Sequence, residues 1–456
     1  MKGFSLESLR NMKTMNDKKE KTILTGEVLI TSCHHGPIEQ GAVVIEGERV
    51  LECGKEDELL RKYPDALVEK RSGGLIAPGL VNCHTHAPMV LLRGMADDLP
   101  LKEWLEKYIF PAEAKLDREL IKTATFLACA EMIRCGITTF VDMYFFERQM
   151  AEVVDETGMR AYLGEGIFDF PSPAFDNIDA VLEETTHLID LYKENCRIHF
   201  TVDPHTPYTC SSNILEKAGQ FAKKHHLPLV IHLSETKWEV DETKSSYGKT
   251  PVRYLHELGL LGPNLVAIHC VWLEDEDIEL LAKSGASVVH CPESNLKLGS
   301  GISPLAKLLD AGINVALGTD GAASNNNLDM LEEMDFAAKL PKGVGLDPSL
   351  VRAEEVFKMA TENGAVAVGA KDIGRLEPGY QADIMVVDLD RPHLRPCYHP
   401  FSQLVYSASM GDVSDLMVAG RFVMKDYEIL TFDERALLSK IKSLQNRPFW
   451  LKDGDN

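Results

Sequence analysis

The sequence predicts an α/β protein, a (β/α)8 TIM barrel with a small composite β-sandwich domain built from both termini. Between residues 76 and 374, short apolar runs alternate with amphipathic helical stretches, which is the pattern of a barrel of parallel strands. On both sides of this region, glycine-containing turns interrupt strand patterns. A doubly wound dinucleotide-binding sheet is the alternative, but no Gly-x-Gly-x-x-Gly follows a strand.

Eight apolar runs of strand length supply the predicted barrel strands. They span residues 78–83, 138–143, 160–166, 197–203, 228–233, 265–270, 286–291 and 313–318. Segment 117–136 illustrates the helices between them, because its apolar residues recur every three or four positions and it ends at a glycine. Further helices are predicted at 211–226, 250–261, 275–285 and 304–312.

The two ends of the chain are assigned to one further domain. Its predicted strands lie at 23–31, 41–54, 376–389 and 413–423. Because chain termini often lie close together, residues 22–75 and 375–456, with a C-terminal helix, are assigned to the composite β-sandwich and residues 76–374 to the metal-dependent barrel. Residues 1–21 carry scattered charges without an apolar run and are predicted to be a flexible extension.

Composition and charge exclude several classes of partner. The formal net charge of −22 is unfavourable for binding nucleic acids or anionic membranes, and no run of about 18 apolar residues could span a bilayer. Ten cysteines occur singly, without a Cys-x-x-Cys pair, which favours reduced thiols over a disulfide framework. We therefore expect a cytoplasmic protein without nucleic-acid or membrane partners.

Histidines and acids follow the predicted strands at the rim where barrels hold their active sites. Residues i and i+2 of a strand share a face, so His84 and His86 point the same way. The other candidates are Asp203 and His205 after the fourth strand, His232 and Glu235 after the fifth, His269 after the sixth, His290 after the seventh and Asp320 after the eighth. A single histidine is more often a core residue than a ligand, but barrel interiors prefer Val, Ile and Leu, so packing does not explain the set.

Three imidazoles and one carboxylate suit a divalent metal ion of borderline softness. We predict that His84, His86, His232 and Asp320 bind one Zn²⁺ per subunit, and Fe²⁺ or Mn²⁺ would also suit this donor set. A cation at this position would lower the pKa of a bound water towards about 7. The same cation would remove the free-energy cost of burying an unpartnered aspartate.

Three residues are the catalytic candidates. Glu235 follows His232 by three positions, which places its carboxylate near the metal but not on it, where it could move protons between water, ring and leaving group. His269 could hydrogen-bond the nucleophilic water or the tetrahedral intermediate. Asp320 could accept a proton in addition to binding metal.

Several motifs together resemble the amidohydrolase superfamily. They are, in chain order, PGLVNCHTH, HLSE, IHC, HCPESNLKLGSG, LGTDGAASNNNLDM and LEPGYQADIMVVDL, and the resemblance covers about residues 22–430. The resemblance is closest to 5-methylthioadenosine/S-adenosylhomocysteine deaminases and related aromatic-ring deaminases and chlorohydrolases. It implies a mononuclear zinc site in a barrel with a composite β-sandwich, hydrolytic loss of the exocyclic amine of adenine, and a homo-oligomer, either dimer or tetramer.

The resemblance also implies substrate contacts. Trp104 would face the 5′ group of a purine nucleoside, Glu113 would bind the ribose hydroxyls, His205 would contact the purine edge, and Ser324 would lie near the base. Glu235 would contact the substrate as the proton shuttle. Without the matched motifs, Trp104 would be interpreted as an aromatic residue that packs on a surface helix. Glu113 would be interpreted as a solvent-exposed charge on a helix.

One position departs from the family pattern. Family members that accept S-adenosylhomocysteine carry an arginine just after the third strand, where this chain has Glu165, and residues 167–179 contain neither Arg nor Lys. Arginine binds a carboxylate in a bidentate manner, whereas two carboxylates repel. We therefore expect weak use of S-adenosylhomocysteine relative to nucleosides with a small neutral 5′ group. Alternatively, Glu165 is a structural charge paired with a nearby Lys or Arg.

Three functional hypotheses remain open from the sequence. The first is a deaminase of 5′-methylthioadenosine, 5′-deoxyadenosine or adenosine, with weaker use of S-adenosylhomocysteine. The second is an amidohydrolase acting on guanine, cytosine, a pterin or a chlorinated triazine. The third is a non-enzymatic scaffold with a vestigial metal site, against which the complete ligand set argues.

Overall fold

The computed structural model describes residues 21–446, so the extension predicted at 1–21 lies, apart from Lys21, outside the described residues. The strands in chain order are β1 Lys21–Leu29, β2 Ile38–Glu39, β3 Gly41–Glu46, β4 Arg49–Lys55, β5 Leu67–Pro78, β6 Leu80–Thr85, β7 Ile137–Tyr144, β8 Arg160–Ile167, β9 Ile198–Phe200, β10 Asp203–Pro204, β11 Leu229–Leu233, β12 Leu265–His269, β13 Ser287–His290, β14 Asn314–Leu317, β15 Ile384–Asp388, β16 Val413–Val418, β17 Arg421–Lys425 and β18 Glu428–Ile429.

The helices lie mainly between the strands of the central region. In chain order they are α1 Glu56–Lys62, α2 Leu101–Trp104, α3 Phe110–Glu113, α4 Arg118–Arg134, α5 Glu147–Thr157, α6 Ile178–Tyr192, α7 Ser212–His225, α8 Lys237–Tyr247, α9 Pro251–Glu257, α10 Asp275–Ser284, α11 Pro292–Lys297, α12 Leu305–Asp310, α13 Met330–Gly345, α14 Ala353–Met359, α15 Glu362–Ala367, α16 Pro400–Tyr406 and α17 Glu434–Gln445. A π-helical turn, Leu105–Ile109, connects α2 and α3, and 3₁₀ turns occupy Ala87–Leu92, Pro392–Leu394 and Met410–Asp412.

Strands from both ends of the chain share one hydrogen-bonded sheet. Its order is β18-β17-β16-β15-β5-β1-β3-β4, with β2 paired to β1. The two ends meet where β5 and β15 pair in antiparallel fashion, with Ile76 opposite Val386. The strand predicted at 376–389 is shorter than expected, because a turn with Gly379 at φ 92° precedes β15. The domain boundaries drawn from the sequence stay a prediction.

Each of the eight central strands predicted from the sequence has a counterpart in the structure. They pair in parallel within two sheets, β10-β8-β7-β6, with β9 on β8, and β11-β12-β13-β14. Further backbone bonds join these sheets at both edges: Val202 N–H donates to Pro228 O at 3.0 Å, and Asp320 N–H donates to His84 O at 2.9 Å. The run predicted at 197–203 is divided between β9 and β10.

Apolar side chains from these strands pack against one another and fix the direction of the neighbouring polar ones. Val81, Val141, Val230, Ile268 and Val289 belong to one buried cluster. Because side chains alternate between faces along a strand, residues at the carboxyl ends of β6, β11, β12 and β14 point into a common space. The candidate site residues lie at this edge of the strands.

Candidate metal centre and substrate pocket

The four predicted metal ligands meet at the carboxyl ends of their strands. The Nε2 atoms of His84 and His86 lie 3.4 and 3.3 Å from Asp320 Oδ1. His232 Nε2 lies 3.1 Å from His84 Nε2 and 3.3 Å from His86 Nε2. The structure therefore brings together three imidazoles and one carboxylate from three separate stretches of sequence.

The hydrogen bonds behind these imidazoles show that the cluster fits a cation. His86 Nδ1 lies 2.5 Å from Met143 O and His232 Nδ1 lies 2.9 Å from His205 O. A carbonyl oxygen only accepts, so Nδ1 carries the proton in both rings and each Nε2 presents a lone pair to the centre. Two lone pairs facing each other at 3.3 Å repel, and a divalent cation between them would convert that repulsion into coordination.

Protonation states in the cluster are those that metal ligands need. Burial lowers the pKa of His84 to about 4, so this imidazole is neutral at pH 7. Burial by itself raises the pKa of Asp320, but its hydrogen bond to His84 and its electrostatic interaction with His84, His86 and His269 outweigh burial and hold that pKa well below the usual value. Ser294 Oγ donates to Asp320 Oδ2 at 2.6 Å, and Gly321 N–H donates to Oδ1 at 2.7 Å.

The backbone is strained at one of the four predicted ligands, Asp320, and at the neighbouring candidate His269. Asp320 has φ 61° and His269 has φ 70°, in the left-handed region that non-glycine residues rarely adopt. Such conformations cost about 1–3 kcal/mol each and persist where the surrounding structure enforces them. Here they turn side chains at strand ends towards the metal centre.

Glu235 and His269 lie beside the four ligands. His269 Nε2 is 3.8 Å from Glu235 Oε2 and 4.0 Å from Asp320 Oδ2. Burial raises the pKa of Glu235, as a group that must hold a proton during part of a reaction requires. His269 Nδ1 contacts Asn295 Oδ1 at 2.9 Å, and Ser300 Oγ donates to Glu235 Oε1 at 3.2 Å.

Three supporting residues had no role predicted from the sequence. Ser294, Asn295 and Ser300 all belong to the motif HCPESNLKLGSG, and each holds a different member of the site. Their small polar side chains following a strand end were the available signal. His290, from the same motif, is buried, but it does not contribute to the pocket wall.

A pocket of about 680 Å³, open solvent at its mouth included, lies over the metal centre. Its wall includes four residues that the family resemblance implied as substrate contacts, namely Trp104, Glu113, His205 and Ser324. Trp104 and Glu113 come from α2 and α3, on either side of the π-helical turn, a feature often found at functional sites. Their roles towards a substrate stay predictions.

Glu113 and Trp104 are both buried, which differs from their readings as surface residues. Burial raises the pKa of Glu113 to about 8, although the Tyr144 hydroxyl acts in the opposite direction. Trp104 is 4% exposed. Both side chains therefore belong to the interior of the pocket, where a polar ligand group would contact Glu113 without competition from bulk water.

The position of Glu165 in the structure differs from the substrate contact expected from the sequence. Its two carboxylate oxygens accept hydrogen bonds from Phe146 N–H at 3.0 Å and Glu147 N–H at 3.1 Å, at the N-terminus of α5. It is not part of the pocket wall, whereas its neighbours Gly166 and Phe168 are. The structure thus differs from the substrate contact predicted for Glu165: burial raises the pKa of this carboxyl group to about 8, and its hydrogen-bond partners are backbone amides rather than a Lys or Arg.

Aromatic residues of the pocket were the other feature that the sequence analysis missed. Phe110, Phe145 and Phe168 line the pocket together with Tyr208. No motif marked them, because they come from segments after different strands.

Within residues 21–446, no helix combines the length and the apolar character needed to cross a membrane.

The chain is similar to proteins of known class along most of its length. The profile of the Amidohydrolase family matches residues 75–423, and that of the bacterial Imidazolonepropionase-like composite domain matches residues 41–66. A 5-methylthioadenosine/S-adenosylhomocysteine deaminase of Syntrophobacter fumaroxidans is 47% identical over 94% of this chain and 98% of the relative. Its counterpart in Pyrococcus furiosus is 46% identical over 87% of this chain and 94% of the relative.

Solved structures show the same likeness. An adenosine deaminase from Xanthomonas campestris with bound zinc is 36% identical, with a TM-score of 0.91 over 93% of this chain and 98% of that structure.

Proposed function

We infer that this chain, which belongs to the amidohydrolase family, is a metal-dependent hydrolase that deaminates adenosine-type nucleosides. Water adds to C6 of the purine and the exocyclic amine leaves as ammonia, which gives the inosine analogue. The proposed substrates are 5′-methylthioadenosine, 5′-deoxyadenosine and adenosine, with weaker use of S-adenosylhomocysteine. The observation that carries this proposal is the convergence of three imidazole Nε2 atoms and the Asp320 carboxylate beside buried Glu235.

The residues of the metal centre divide the work between holding a cation and moving protons. His84, His86, His232 and Asp320 would hold the cation, which, when bound, supplies the charge that makes water acidic enough to react near neutral pH. Glu235 takes the proton of the water and delivers protons to the ring nitrogen and the departing amine. His269, whose Nδ1 donates to Asn295 Oδ1, presents Nε2 to the water side, where the neutral ring accepts a hydrogen bond.

The remaining wall of the pocket orients the nucleoside. His205, whose Nδ1 contacts Thr209 Oγ1 at 2.9 Å, is proposed to contact the purine edge. Glu113 is proposed to bind the ribose hydroxyls, because a buried carboxyl group without bulk water forms strong hydrogen bonds. Trp104 is proposed to cover the 5′ group and Ser324 to lie near the base. Such positioning accounts for a large share of the barrier reduction in many enzymes.

Finer features of the molecule belong to the same proposal. The parallel strands, joined at both edges, support a closed (β/α)8 barrel, and the shared terminal sheet supports a composite β-sandwich. The donor set supports Zn²⁺, with Fe²⁺ or Mn²⁺ as the competing ions. Ten free thiols support a cytoplasmic location. The family resemblance supports a homo-oligomer, dimer or tetramer, which the mass of the protein in solution would test.

A turnover screen tests the function. Ammonia release and the absorbance change of the purine are measured for adenosine, 5′-deoxyadenosine and 5′-methylthioadenosine, with guanine, cytosine, a pterin and a chlorinated triazine as competing substrates. We expect the nucleosides to have the highest kcat/KM, because Glu113 has no partner on a free base. Faster turnover of a competing heterocycle would assign the site to the second hypothesis. The absence of turnover together with the absence of stoichiometric metal would support the scaffold hypothesis.

A further inference from the structure

The short segment that links β11 to α8 carries Glu235, the proton shuttle of the proposed function. It consists of residues 234–236 and follows the candidate metal ligand His232. Ser234 has φ 53°, in the left-handed region that residues other than glycine rarely adopt. Such a conformation persists only where neighbouring groups enforce it. The contacts of this link therefore determine where the side chain of Glu235 points.

The carboxyl group of Glu239 holds the link from the side of the helix. Its Oε1 accepts a hydrogen bond from Ser234 N–H at 2.8 Å, and its Oε2 accepts one from Glu235 N–H at 2.7 Å. Both contacts are buried, and Glu239 is 1% exposed. On the other side, Ser234 O accepts from Val271 N–H at 3.0 Å and from Trp272 N–H at 2.9 Å. The link is therefore fixed from two directions.

The backbone of Glu239 is itself anchored at the third position of α8. Its N–H donates to Oγ1 of the N-cap residue Thr236 at 3.2 Å, and its carbonyl oxygen accepts from Thr243 Oγ1 at 2.8 Å. Thr-x-x-Glu is the pattern of a capping box, in which the acid binds the backbone amide of the N-cap residue. Here the carboxyl group reaches past the cap to the two preceding residues, so it connects the helix to Glu235.

Two hydrogen-bond acceptors are needed at this position, because both backbone partners donate. Burial raises the pKa of Glu239 to about 8, while its bonds to the backbone amides of Ser234 and Glu235 act in the opposite direction. In either protonation state, each carboxyl oxygen keeps a lone pair that can accept. A glutamine of the same shape would present its NH2 group to one of the two amides, and that hydrogen bond would be lost.

The side chain of Glu235 is held less closely than its backbone. Ser300 Oγ donates to Glu235 Oε1 at 3.2 Å, and His269 Nε2 lies 3.8 Å from Oε2. Both distances exceed the 2.7 Å between Glu235 N and Glu239 Oε2. The position of the reactive carboxyl group therefore depends on the backbone of the link. A displacement of about 1 Å at a reacting group lowers a rate by about 10²-fold.

We propose that Glu239 is a positioning residue of the deaminase reaction, which acts by holding the backbone of Glu235. Glu239 is not part of the pocket wall, so it acts through Glu235 rather than by contact with the substrate. This inference rests on the proposed function. It adds a residue outside the pocket on which proton transfer depends.

Glu239→Gln in the metal-loaded enzyme tests the proposal, with ammonia release from 5′-methylthioadenosine as the readout. We expect kcat to fall by about 10- to 100-fold and KM to change by less than about threefold, because the pocket wall is intact while the proton-transferring group is displaced. Zinc content should equal that of the parent. If the glutamine variant does not fold, Glu239→Asp replaces it, because its shorter side chain cannot reach both amides, and the same division between kcat and KM is expected.

A double-variant cycle separates positioning from general damage to the structure. If Glu239 acts through Glu235, adding Glu239→Gln to Glu235→Gln should lower kcat by less than about a further twofold, because the positioned group no longer transfers protons. A further loss of about 10- to 100-fold in the double variant would overturn the proposal, since Glu239 would then act by a route that does not include Glu235.

Asp277→Asn is the matched control. Asp277 is the buried third residue of α10, the helix that follows β12, and its Oδ2 accepts from the N-cap Glu274 N–H at 2.9 Å, while its Oδ1 accepts from Thr250 Oγ1 at 2.6 Å. We expect both single variants to lower Tm but only Glu239→Gln to lower kcat. An equal fall of kcat in both would overturn the proposal, because loss of a helix cap would then be sufficient to explain it.

The outcomes also separate this inference from the function on which it rests. A parent enzyme that turns over 5′-methylthioadenosine, together with an undiminished kcat in the Glu239 variant, would overturn the inference alone. A parent enzyme that holds stoichiometric zinc and turns over no nucleoside would overturn the proposed function and the inference together.

Discussion

The floor and the mouth of the pocket are built in different ways. The floor consists of residues at strand ends, several of which are fixed by short polar contacts, such as that of Ser294 with Asp320 at 2.6 Å. The mouth includes rings from loops and short helices, such as Phe168, Phe170 and Phe110, whose centroids lie 5.0 to 6.4 Å apart. In the proposed function, the floor sets which bond is broken and the mouth sets which substrate is accepted. Substitutions at the two ends should accordingly change different kinetic quantities.

The largest effect should come from the floor. Glu235→Gln retains the shape of the side chain but cannot move a proton, so we expect kcat to fall by about 10²- to 10⁴-fold. Elemental analysis should find the metal content unchanged, because Glu235 is not a ligand in this account. A variant that keeps its activity would remove the proton-shuttle role.

A supporting residue of the floor should affect metal affinity. Ser294→Ala removes the hydroxyl that donates to Asp320 Oδ2. We expect the dissociation constant of zinc to rise by about 10- to 100-fold, as for other residues that orient metal ligands. Competition with a chelator measures this constant. Unchanged affinity would mean that Gly321 N–H alone orients the carboxylate.

Glu113 lies between the two regions and should affect both binding and stability. We expect Glu113→Gln to lower kcat/KM for nucleosides about tenfold, since the amide replaces one carboxyl oxygen with an NH2 group and a buried hydrogen bond to the ribose is lost. The pKa of Glu113 is raised to about 8 in the folded protein, so the unfolded chain releases its proton first and the folded state loses stability as the pH rises from about 4.5 to 8.

Glu113→Gln has no carboxyl group to ionise at this position. The difference in Tm between Glu113→Gln and the parent protein should therefore be more favourable to the variant at pH 9 than at pH 5. A constant difference in Tm between these pH values would contradict the raised pKa.

The smallest effect should come from Glu165, which lies outside the pocket wall. Glu165→Ala removes the acceptor of Phe146 N–H and Glu147 N–H at the start of α5. We expect a loss of about 1 kcal/mol in the free energy of unfolding, typical of a lost helix cap. The ratio of kcat/KM between 5′-methylthioadenosine and S-adenosylhomocysteine should stay within about twofold. A larger change in that ratio would return Glu165 to the substrate site.

The floor could be predicted from the sequence, and the mouth could not. His84, His86, His232 and Asp320 follow apolar runs whose length and alternation fix both the strand and the direction of its last side chains. The same reasoning predicted the eight central strands, although the run at 197–203 is divided between two strands. In the terminal sheet, a turn shortens the strand predicted at 376–389. The periodicity of the strands was therefore the main basis for predicting the candidate metal ligands.

Tertiary contacts that leave no local pattern account for the rest. Glu165 accepts hydrogen bonds from amides about twenty positions earlier in the chain, so its place next to a pocket-lining glycine in sequence was misleading. Phe168 and Phe170 meet Phe110 only because segments after different strands pack together. Trp104 gave no sign of its burial, since a tryptophan in a short helix has the same local pattern whether it faces water or a pocket.

The central claim is that one cation is shared by stretches of chain that are distant in sequence. Anomalous diffraction recorded at the zinc edge from crystals of the zinc-loaded protein tests it most directly. We expect one strong peak about 2.0–2.2 Å from Nε2 of His84, His86 and His232 and from an Asp320 oxygen. A peak elsewhere, or none between these four side chains, would contradict the account.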